Sequence, residues 1–159
     1  MPLDIRRASV SDAERIAALL LTAFVEYEPL YTPAGFRATT LSPAEIVRRF
    51  DEGPTWIAAQ DEVMVGTVSA INRGTEVYLR SMAVLPTERG RGIAASLLAV
   101  VHAFAVECGV GRLSLSTTPF LSDAIRLYQR SGFREVPGQF DLFGTPLIAM
   151  VKVLGHRAE

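Results

Sequence analysis

The amino-acid sequence predicts one mixed α/β domain that spans residues 1–159. Three observations support this fold class. Segments with strand and helix periodicity alternate along the chain, three consecutive strand-like segments form a predicted β-meander, and a glycine-rich loop precedes a long apolar helix. Hydrophobic residues make up 49% of the sequence, which suits one domain with a substantial core. No repeat and no linker-like stretch divides the sequence.

The first third of the chain predicts one strand and two helices. Asp4 to Ala8 is typical of a strand, and the capping-box sequence Ser11-Asp12-Ala13-Glu14 predicts the start of a helix with apolar residues at helical spacing. Residues 29–35 contain two prolines and a glycine, which predict a loop. A second capping box, Ser42-Pro43-Ala44-Glu45, carries Pro at the first helical position and predicts a short helix that ends near Phe50.

Three strands joined by tight turns are expected next, and they would form the meander. These strands span residues 55–59, 63–71 and 75–85. Along the third strand, odd positions are mostly small or apolar and even positions are more polar. Because successive side chains of a strand point to opposite faces, Glu76, Tyr78 and Arg80 should lie side by side on one face of the sheet.

The second half of the chain predicts two helices and three strands. A long helix from Arg91 to Cys108 should end at Gly109, since glycine suits the position that follows a helix C-terminus. The later elements span Arg112–Thr117 (strand), Ser122–Arg130 (helix), Gly132–Val136 (strand) and Pro146–Val153 (strand). The predicted order is therefore β-α-α-β-β-β-α-β-α-β-β, followed by a frayed tail over residues 156–159.

The loop Arg89-Gly90-Arg91-Gly92-Ile93-Ala94 is the strongest indication of a binding site. Glycine lets the backbone approach a ligand closely, and the first N–H groups of a helix have no partner within it. With the helix dipole and two arginines, these groups predict a site for a phosphate or pyrophosphate. A solvated turn without a ligand is one alternative, and a G-x-G-x-x-A dinucleotide fingerprint is another. The fingerprint fits less well, because Pro86 to Arg89 separate the strand from Gly90 and Glu107 falls within a helix.

Composition excludes several classes of partner and site. A net charge of −1 gives no general attraction for nucleic acid or anionic membranes. Cys108 is the single cysteine, which excludes a disulfide within the chain and fits a reducing compartment. One cysteine and two histidines argue against a structural zinc site, so no metal is expected. The N-terminus lacks the apolar core of a signal peptide, and no apolar run reaches spanning length; a soluble, cytoplasmic protein is expected.

Two motifs, in this order of elements, resemble the GNAT superfamily of acyl-CoA-dependent N-acyltransferases. Arg89-x-x-Gly92-x-Ala94 is similar to the family loop Q/R-x-x-G-x-G/A, and it follows Ala83-Val84-Leu85-Pro86, a common lead-in. The segment Leu127-Tyr128-Gln129-Arg130-Ser131-Gly132-Phe133 is similar to the family segment L-Y-x-x-x-G-F. The resemblance implies a GNAT-like fold: a central, mostly antiparallel sheet of six to seven strands with splayed middle strands, flanked by about four helices.

The resemblance also implies how acetyl-CoA would bind and react. Backbone groups of the strand that ends at Val84 would pair with the pantetheine amides, and the glycine loop would hold the pyrophosphate. Tyr128 would lie near the sulfur and protonate the thiolate that leaves when an amine attacks the thioester. The expected cofactor-binding residues are Met82, Ala83, Val84, Arg89, Gly90, Arg91, Gly92, Ile93, Ala94 and Tyr128.

The resemblance also implies where the general base and the acceptor pocket would lie. An incoming ammonium must lose a proton before it attacks, and Glu76 is the first choice of base, directly or through water. Glu26 and Glu28 are second choices. The residues expected to bind substrate are Glu26, Tyr27, Tyr31 and Tyr78, and those expected to help shape the pocket are Phe36, Phe140, Asp141 and Phe143. Their aromatic and acidic mix would accept a small cationic amine, a peptide N-terminus or a lysine.

The leading hypothesis is an N-acetyltransferase that moves the acetyl group of acetyl-CoA to a primary amine of a small molecule or peptide, by direct attack in a ternary complex, with CoA as product. Main-chain N–H groups near Met82 to Val84 would polarise the thioester carbonyl. One departure is the absence of the family asparagine that helps hold CoA, since Phe120, Leu121 and Ser122 occupy that region. Two alternatives are a non-catalytic acyl-CoA sensor and a nucleotide- or NAD-binding protein. Dimers are frequent among similar proteins, so a homodimer is one expected state.

Overall fold

The computed structural model describes residues 2–155, in which seven strands and five α-helices form; the predicted tail at 156–159 lies outside these residues. The strands are β1 (Asp4–Arg7), β2 (Thr55–Gln60), β3 (Val63–Asn72), β4 (Val77–Val84), β5 (Arg112–Thr117), β6 (Arg134–Leu142) and β7 (Thr145–Val153). The helices are α1 (Ala13–Phe24), α2 (Pro33–Thr39), α3 (Pro43–Arg49), α4 (Ile93–Cys108) and α5 (Ser122–Arg130). The predicted elements are thus present, with α2 added.

The seven strands form one sheet in the order β1-β2-β3-β4-β5-β7-β6. Every neighbouring pair is antiparallel except β4 and β5, which run parallel and are joined by the α4 crossover. Only two residue pairs hold β4 and β5 together, Val77 with Leu113 and Tyr78 with Ser114. Beyond Tyr78 the two strands diverge, as the predicted splay of the middle strands requires.

Apolar cores cover both faces of this sheet. Trp56 and Ile57 are neighbours on β2 but belong to different cores, because successive strand side chains point to opposite faces. The first core packs α4 against the sheet through residues such as Leu97, which is fully buried. The second packs α1 and α3 through Leu20 and Ile46. This packing holds the N-terminus of α4 close to the end of β4.

The start of α1 differs from the prediction, because the capping box is formed two residues earlier, by Ser9 and Asp12. The Ser9 backbone N–H donates to Asp12 Oδ2 at 2.8 Å, whereas Ser11 and Glu14 form no such box. Asp12 also accepts hydrogen bonds from both terminal nitrogens of Arg6, each at 2.9 Å. The reason is tertiary: Asp12 is buried at the end of β1, where an arginine from that strand can neutralise it.

The prediction of a loop at residues 29–35 is wrong, because much of this segment is helical. Residues 25–30 form a 3-10 segment, and α2 begins at Pro33 with Thr32 as its N-cap, accepting from the Gly35 N–H at 3.0 Å. The Thr32 hydroxyl in turn donates to the Phe143 carbonyl at 2.9 Å. Proline at the first helical position is compatible with a helix, so proline alone did not distinguish a loop from a helix start.

Two strands are irregular in ways that alternation did not predict. On β4, the four residues from Arg80 to Ala83 oppose three on β3, so the strand contains a β-bulge, and Ser81 has a φ of +56°. The last hairpin is longer than predicted: β6 runs from Arg134 to Leu142 and contains its own irregularity after Val136. A bulge breaks the alternation of faces, and this is why period-2 patterning missed both features.

Candidate active site

A cavity of about 680 Å³ opens where β4 and β5 diverge. Its walls come from both strands, the start of α4, helix α5 and the segment that follows α1. Nine of the ten residues predicted to bind the cofactor lie on this wall: Met82, Ala83, Val84, Arg89, Gly90, Gly92, Ile93, Ala94 and Tyr128. The tenth, Arg91, is exposed and lies off the wall.

One end of the cavity is a cradle of unengaged backbone donors. Within residues 2–155, the N–H groups of residues 89–95 donate to no backbone carbonyl, and the first helical bond runs from Ser96 to the Gly92 carbonyl. Gly90 and Gly92 have φ values of +79° and +80°, a conformation that glycine adopts without the cost imposed by a Cβ atom. The row of N–H groups and the positive end of the α4 dipole together favour an anion.

Two arginines flank the cradle, and both already have acidic partners. Arg89 donates to Glu26 Oε1 at 2.7 Å and to the Ala23 carbonyl at 3.1 Å. Arg91 donates to Glu88 Oε1 at 3.3 Å. The Arg89 bonds tie the loop to the end of α1, so this arginine is held over the cavity with part of its charge neutralised.

Tyr128 is the buried hydroxyl-bearing residue on the α5 side of the cavity. Its side chain is 5% exposed, and burial raises the pKa of its hydroxyl above the usual tyrosine range. No hydrogen-bond acceptor or donor among the described residues reaches that hydroxyl. Tyr128 therefore stays protonated at neutral pH and retains a proton that it can give to a group bound in the cavity.

An aromatic cluster of Tyr27, Tyr31 and Phe120 forms another part of the site. The Tyr31 and Phe120 rings meet edge to face with centroids 5.0 Å apart, and Tyr27 lies 5.9 Å from Phe120. Both tyrosines line the cavity, as does Tyr78 of β4. Burial raises the pKa of the Tyr31 hydroxyl. The structure thus brings together the three tyrosines predicted to bind substrate.

Glu76, the predicted base, is placed differently. It precedes β4 and does not line the cavity; its carboxylate accepts from Ser114 Oγ and from Arg112 Nε, the latter at 2.9 Å, with Arg73 at 3.9 Å. Burial opposes its ionisation, but these partners outweigh burial and lower the pKa of the carboxyl. Since Ser114 pairs with Tyr78, Glu76 clamps β4 to β5 at the point where the splay begins.

The other acidic and aromatic candidates also lie off the cavity wall. Glu26 forms an ion pair with Arg89, and Glu28 is exposed. Phe36 packs behind Tyr31 with ring centroids 5.8 Å apart. The candidates from the last hairpin are directed elsewhere: Phe140 and Phe143 are exposed, and Asp141 accepts from the Gly144 N–H within the turn. The hairpin contributes Leu142 and Leu147 to the wall instead.

The sequence matches the Acetyltransferase (GNAT) family over residues 16–133, which is more than half of the chain. The chain belongs to the GNAT acetyltransferase family. One relative is the uncharacterised N-acetyltransferase YjgM of Escherichia coli (strain K12), which is 30% identical over 137 residues, covering 82% of this chain and 81% of that protein. The predicted resemblance to the GNAT superfamily is confirmed.

Solved structures of GNAT proteins share this fold. PaiA N-acetyltransferase from Thermoplasma acidophilum, in complex with coenzyme A, has a TM-score of 0.82 at 18% identity and covers 97% of this chain and 100% of its own. YncA from Salmonella typhimurium, solved with its cofactor acetyl-CoA, has a TM-score of 0.73 at 21% identity, and the match covers 99% of this chain and 96% of YncA. These likenesses confirm the predicted GNAT-like class with its mostly antiparallel sheet.

The GNAT motifs did not indicate every residue on the cavity wall. Arg49, from the end of α3, and Thr118, which follows β5, both line it. Arg80 lines it together with Tyr78, as their shared face on β4 predicted, although Glu76 does not join them. No local pattern marks Arg49, because its place depends on how α3 packs beneath β4.

No group of three or more His, Cys, Asp or Glu side chains lies close enough together to hold a metal ion anywhere in residues 2–155. In the same part of the chain, no helix has the length and apolar character needed to cross a membrane.

Proposed function

We propose that this GNAT protein is an acetyl-CoA-dependent N-acetyltransferase that transfers an acetyl group to a primary amine by direct attack in a ternary complex. One observation carries the proposal: a row of unengaged N–H groups at residues 89–95 and the unpartnered hydroxyl of Tyr128 lie on the wall of the same cavity. The first feature suits a diphosphate, and the second suits a leaving group that needs a proton.

The residues present fit a CoA thioester along the length of the cavity. The N–H groups of residues 89–95 would hold the diphosphate. Beyond Tyr78, the edge of β4 that faces β5 has no partner strand, so its backbone groups can pair with the amides of a pantetheine arm. At the position of the missing family asparagine, Leu121 is on the wall, so an apolar contact replaces an amide there.

Acetyl-CoA would supply an acetyl group activated as a thioester. Backbone N–H groups near Met82 to Val84 would donate to the carbonyl oxygen and favour the charge that develops there during attack. Tyr128 would donate its proton to the departing thiolate. Burial raises the pKa of Tyr128, so its hydroxyl is protonated at neutral pH and has a proton to give.

Removal of the amine proton requires a carboxylate or an ordered water close to the bound amine. Glu76 stays a predicted base, but its carboxylate is off the wall and is engaged by Ser114 and Arg112. A base must reach the proton that it takes, directly or through one water. Glu76 therefore fits a structural role that holds β4 to β5. In that role a Glu76→Gln variant would lose stability, whereas in the role of base it would lose turnover.

Calorimetric titration with acetyl-CoA tests the proposal, with NAD and ADP as controls. We expect saturable binding of acetyl-CoA that is far tighter than binding of either control, followed by CoA release when an amine panel is added. Tight binding with no turnover on any amine would favour a non-catalytic acyl-CoA sensor. Equal binding of ADP and acetyl-CoA would favour a nucleotide-binding protein, and no binding by folded protein would overturn the proposal.

A further inference from the structure

The cavity wall carries more positive than negative charge away from the cradle. At the far end from the glycine loop, Arg49 of α3 and Arg80 of β4 both line it. Arg80 is paired with Glu52, but Arg49 has no carboxylate within 4.0 Å among the described residues. The Arg49 guanidinium instead donates to Ser81 Oγ at 2.8 Å. A half-buried cation with no carboxylate in ion-pair range leaves this part of the site short of negative charge.

Buried polar atoms without a hydrogen-bond partner also lie on residues of this cavity wall. In the part of the chain that the structure describes, only two buried side-chain nitrogen or oxygen atoms lack a hydrogen-bond partner, Arg80 Nε and Thr118 Oγ1. Both belong to residues that line this cavity. Buried polar groups in folded proteins are nearly always hydrogen-bonded. Thr118 also has the Tyr31 hydroxyl as a hydrogen-bonding neighbour, so Arg80 Nε is the atom whose missing partner a bound ligand would supply.

The charges at this site also oppose one another in the protein alone. The pKa of Arg49 lies below its usual range, first because of burial and then because of the nearby Arg80 charge, while Glu52 and Glu45 act in the opposite direction. An anion between them would remove the repulsion and accept hydrogen bonds from both. Arginine binds carboxylates through paired N–H groups in a planar geometry, which makes a carboxylate a well-matched ligand.

The anion site is close to the place proposed for acetyl transfer. Arg80 precedes Met82 by two residues on β4, with the bulge at Ser81 between them, so their Cα atoms are at most about 7 Å apart. An amine that attacks near Met82 could therefore carry a carboxylate only a few bonds away. Polyamines and lysine side chains carry additional positive charge or no nearby acid, so both arginines would disfavour them.

We propose that Arg49 and Arg80 bind the carboxylate of the acceptor, so that the amine acetylated here belongs to a free amino acid or a closely related amino-acid-type compound. The inference rests on the proposed function, since it names the substrate class of the same site. It differs from the acceptors expected from the sequence, where aromatic and acidic residues suggested a cationic amine. The difference arises because the predicted acids lie off the wall, whereas the two arginines lie on it.

Acetylation of matched acceptor pairs tests the inference. CoA release is measured with each of the standard amino acids, with the corresponding amino acid amides, and with spermidine. We expect at least one amino acid to be used with a kcat/KM about tenfold or more above that of its amide, because the amide keeps the amine and side chain but loses the charge. Equal or better use of the amides, or a preference for spermidine, would overturn the inference.

Substitutions of the two arginines provide the second arm. Arg49→Gln and Arg80→Gln should each raise KM for the preferred amino acid by about tenfold or more while leaving acetyl-CoA affinity unchanged. Arg48→Gln is the matched control, since Arg48 lies on the same helix but is exposed and off the wall. Glu52→Gln controls for loss of the ion pair with Arg80. If Arg80→Gln does not fold, as judged by thermal melting, the Arg49→Gln result decides.

The two proposals fail in different ways. Acetyl-CoA titration is done first, because failure to bind acetyl-CoA removes the proposed function itself. If acetyl-CoA binds, the CoA complex is titrated with the same amino acids and amides, and thermal stabilisation is recorded. If acetyl-CoA binds, but no amino acid is acetylated and none stabilises the CoA complex, only the proposed carboxylate site is overturned. An unchanged KM in both arginine variants would do the same.

Discussion

The rings of Tyr128 and Phe133 pack edge to face, with centroids 5.7 Å apart and planes inclined at 61°. The Phe133 N–H also donates to the Tyr128 carbonyl at 2.9 Å, across the turn that ends α5. Both rings are buried in the core that holds α4 against the sheet. The spacing between Tyr128 and Phe133 therefore has a structural reason: it fixes the Tyr128 ring while its hydroxyl is left without a partner.

Replacing Tyr128 with Phe should remove the hydroxyl and keep this ring packing. We expect turnover to fall by roughly 10²–10⁴-fold with acetyl-CoA affinity nearly intact, because only the proton donor is lost. Steady-state kinetics with an accepted amine and calorimetric titration measure the two quantities. Melting temperature is the control for packing, and wild-type turnover in a folded variant would remove Tyr128 from the proposed mechanism.

Replacing Gly92 with Ala tests the cradle, and Gly109 supplies a matched control. Gly92 and Gly109 stand at opposite ends of α4 with φ values of +80° and +74°, and a Cβ atom at either would meet nothing within 4 Å. Both changes should therefore cost similar stability, of about 1–2 kcal/mol, through backbone strain. Only Gly92→Ala should also weaken acetyl-CoA binding, by about tenfold or more, since its methyl group would stand where the diphosphate approaches.

The comparison separates the two causes of lost binding. If Gly109→Ala weakened acetyl-CoA binding as much as Gly92→Ala does, general destabilisation would account for both. Equal affinity of Gly92→Ala and the unmodified protein for acetyl-CoA would mean that the cradle is not the diphosphate site.

Glu76→Gln distinguishes a clamp from a base. Its carboxylate links Ser114 and Arg112 of β5 to the start of β4, so the amide should lower the free energy of unfolding by about 1–3 kcal/mol. We expect turnover to change by less than about tenfold, whereas loss of a general base would cost about 10²–10⁴-fold. Denaturant unfolding and kcat measured well below the melting temperature separate the outcomes, and a large loss of kcat in the folded variant would establish the catalytic role.

Asp12→Asn should destabilise the fold in a pH-dependent way. Hydrogen bonds from Arg6, more than the opposing burial, hold the pKa of Asp12 far below its usual range, so the carboxylate contributes stability above its unfolded pKa of about 3.9. We expect the variant to lose about 1–3 kcal/mol near neutral pH. The difference from the unmodified protein should shrink as pH falls below about 4 toward the folded pKa.

Urea unfolding from pH 7 to pH 3 measures this difference, with Glu14→Gln as the control. Glu14 is also in the first turn of α1 but is exposed, and it takes no part in the capping box that forms. A constant difference between Asp12→Asn and the unmodified protein down to pH 3 would show that the ion pair with Arg6 does not stabilise the fold.

Local sequence patterns predicted most of the elements correctly. Helix α4 ends at Gly109 and α3 begins with the Ser42 and Glu45 capping box, as expected, because caps depend on residues a few positions apart. The unengaged N–H groups expected at residues 89–94 are present for the same reason, since glycine and a helix start lie together there, and phosphate binding at this loop stays a prediction. Long-range contacts caused the errors at the start of α1 and at residues 29–35. Asp12 accepts a hydrogen bond from Arg6 of β1, and Thr32 donates one to the last hairpin.

What the sequence determined by itself was the family, the order of strands and helices and the two motifs, because these depend on periodicity and spacing along the chain. Tertiary structure alone decided which charged side chains face the cavity. The bulge at Ser81, the packing of α3 and the partners of Glu76 placed two arginines on the wall and the predicted acids off it. A side chain's direction in a splayed, bulged sheet depends on contacts between distant segments, which no local pattern records.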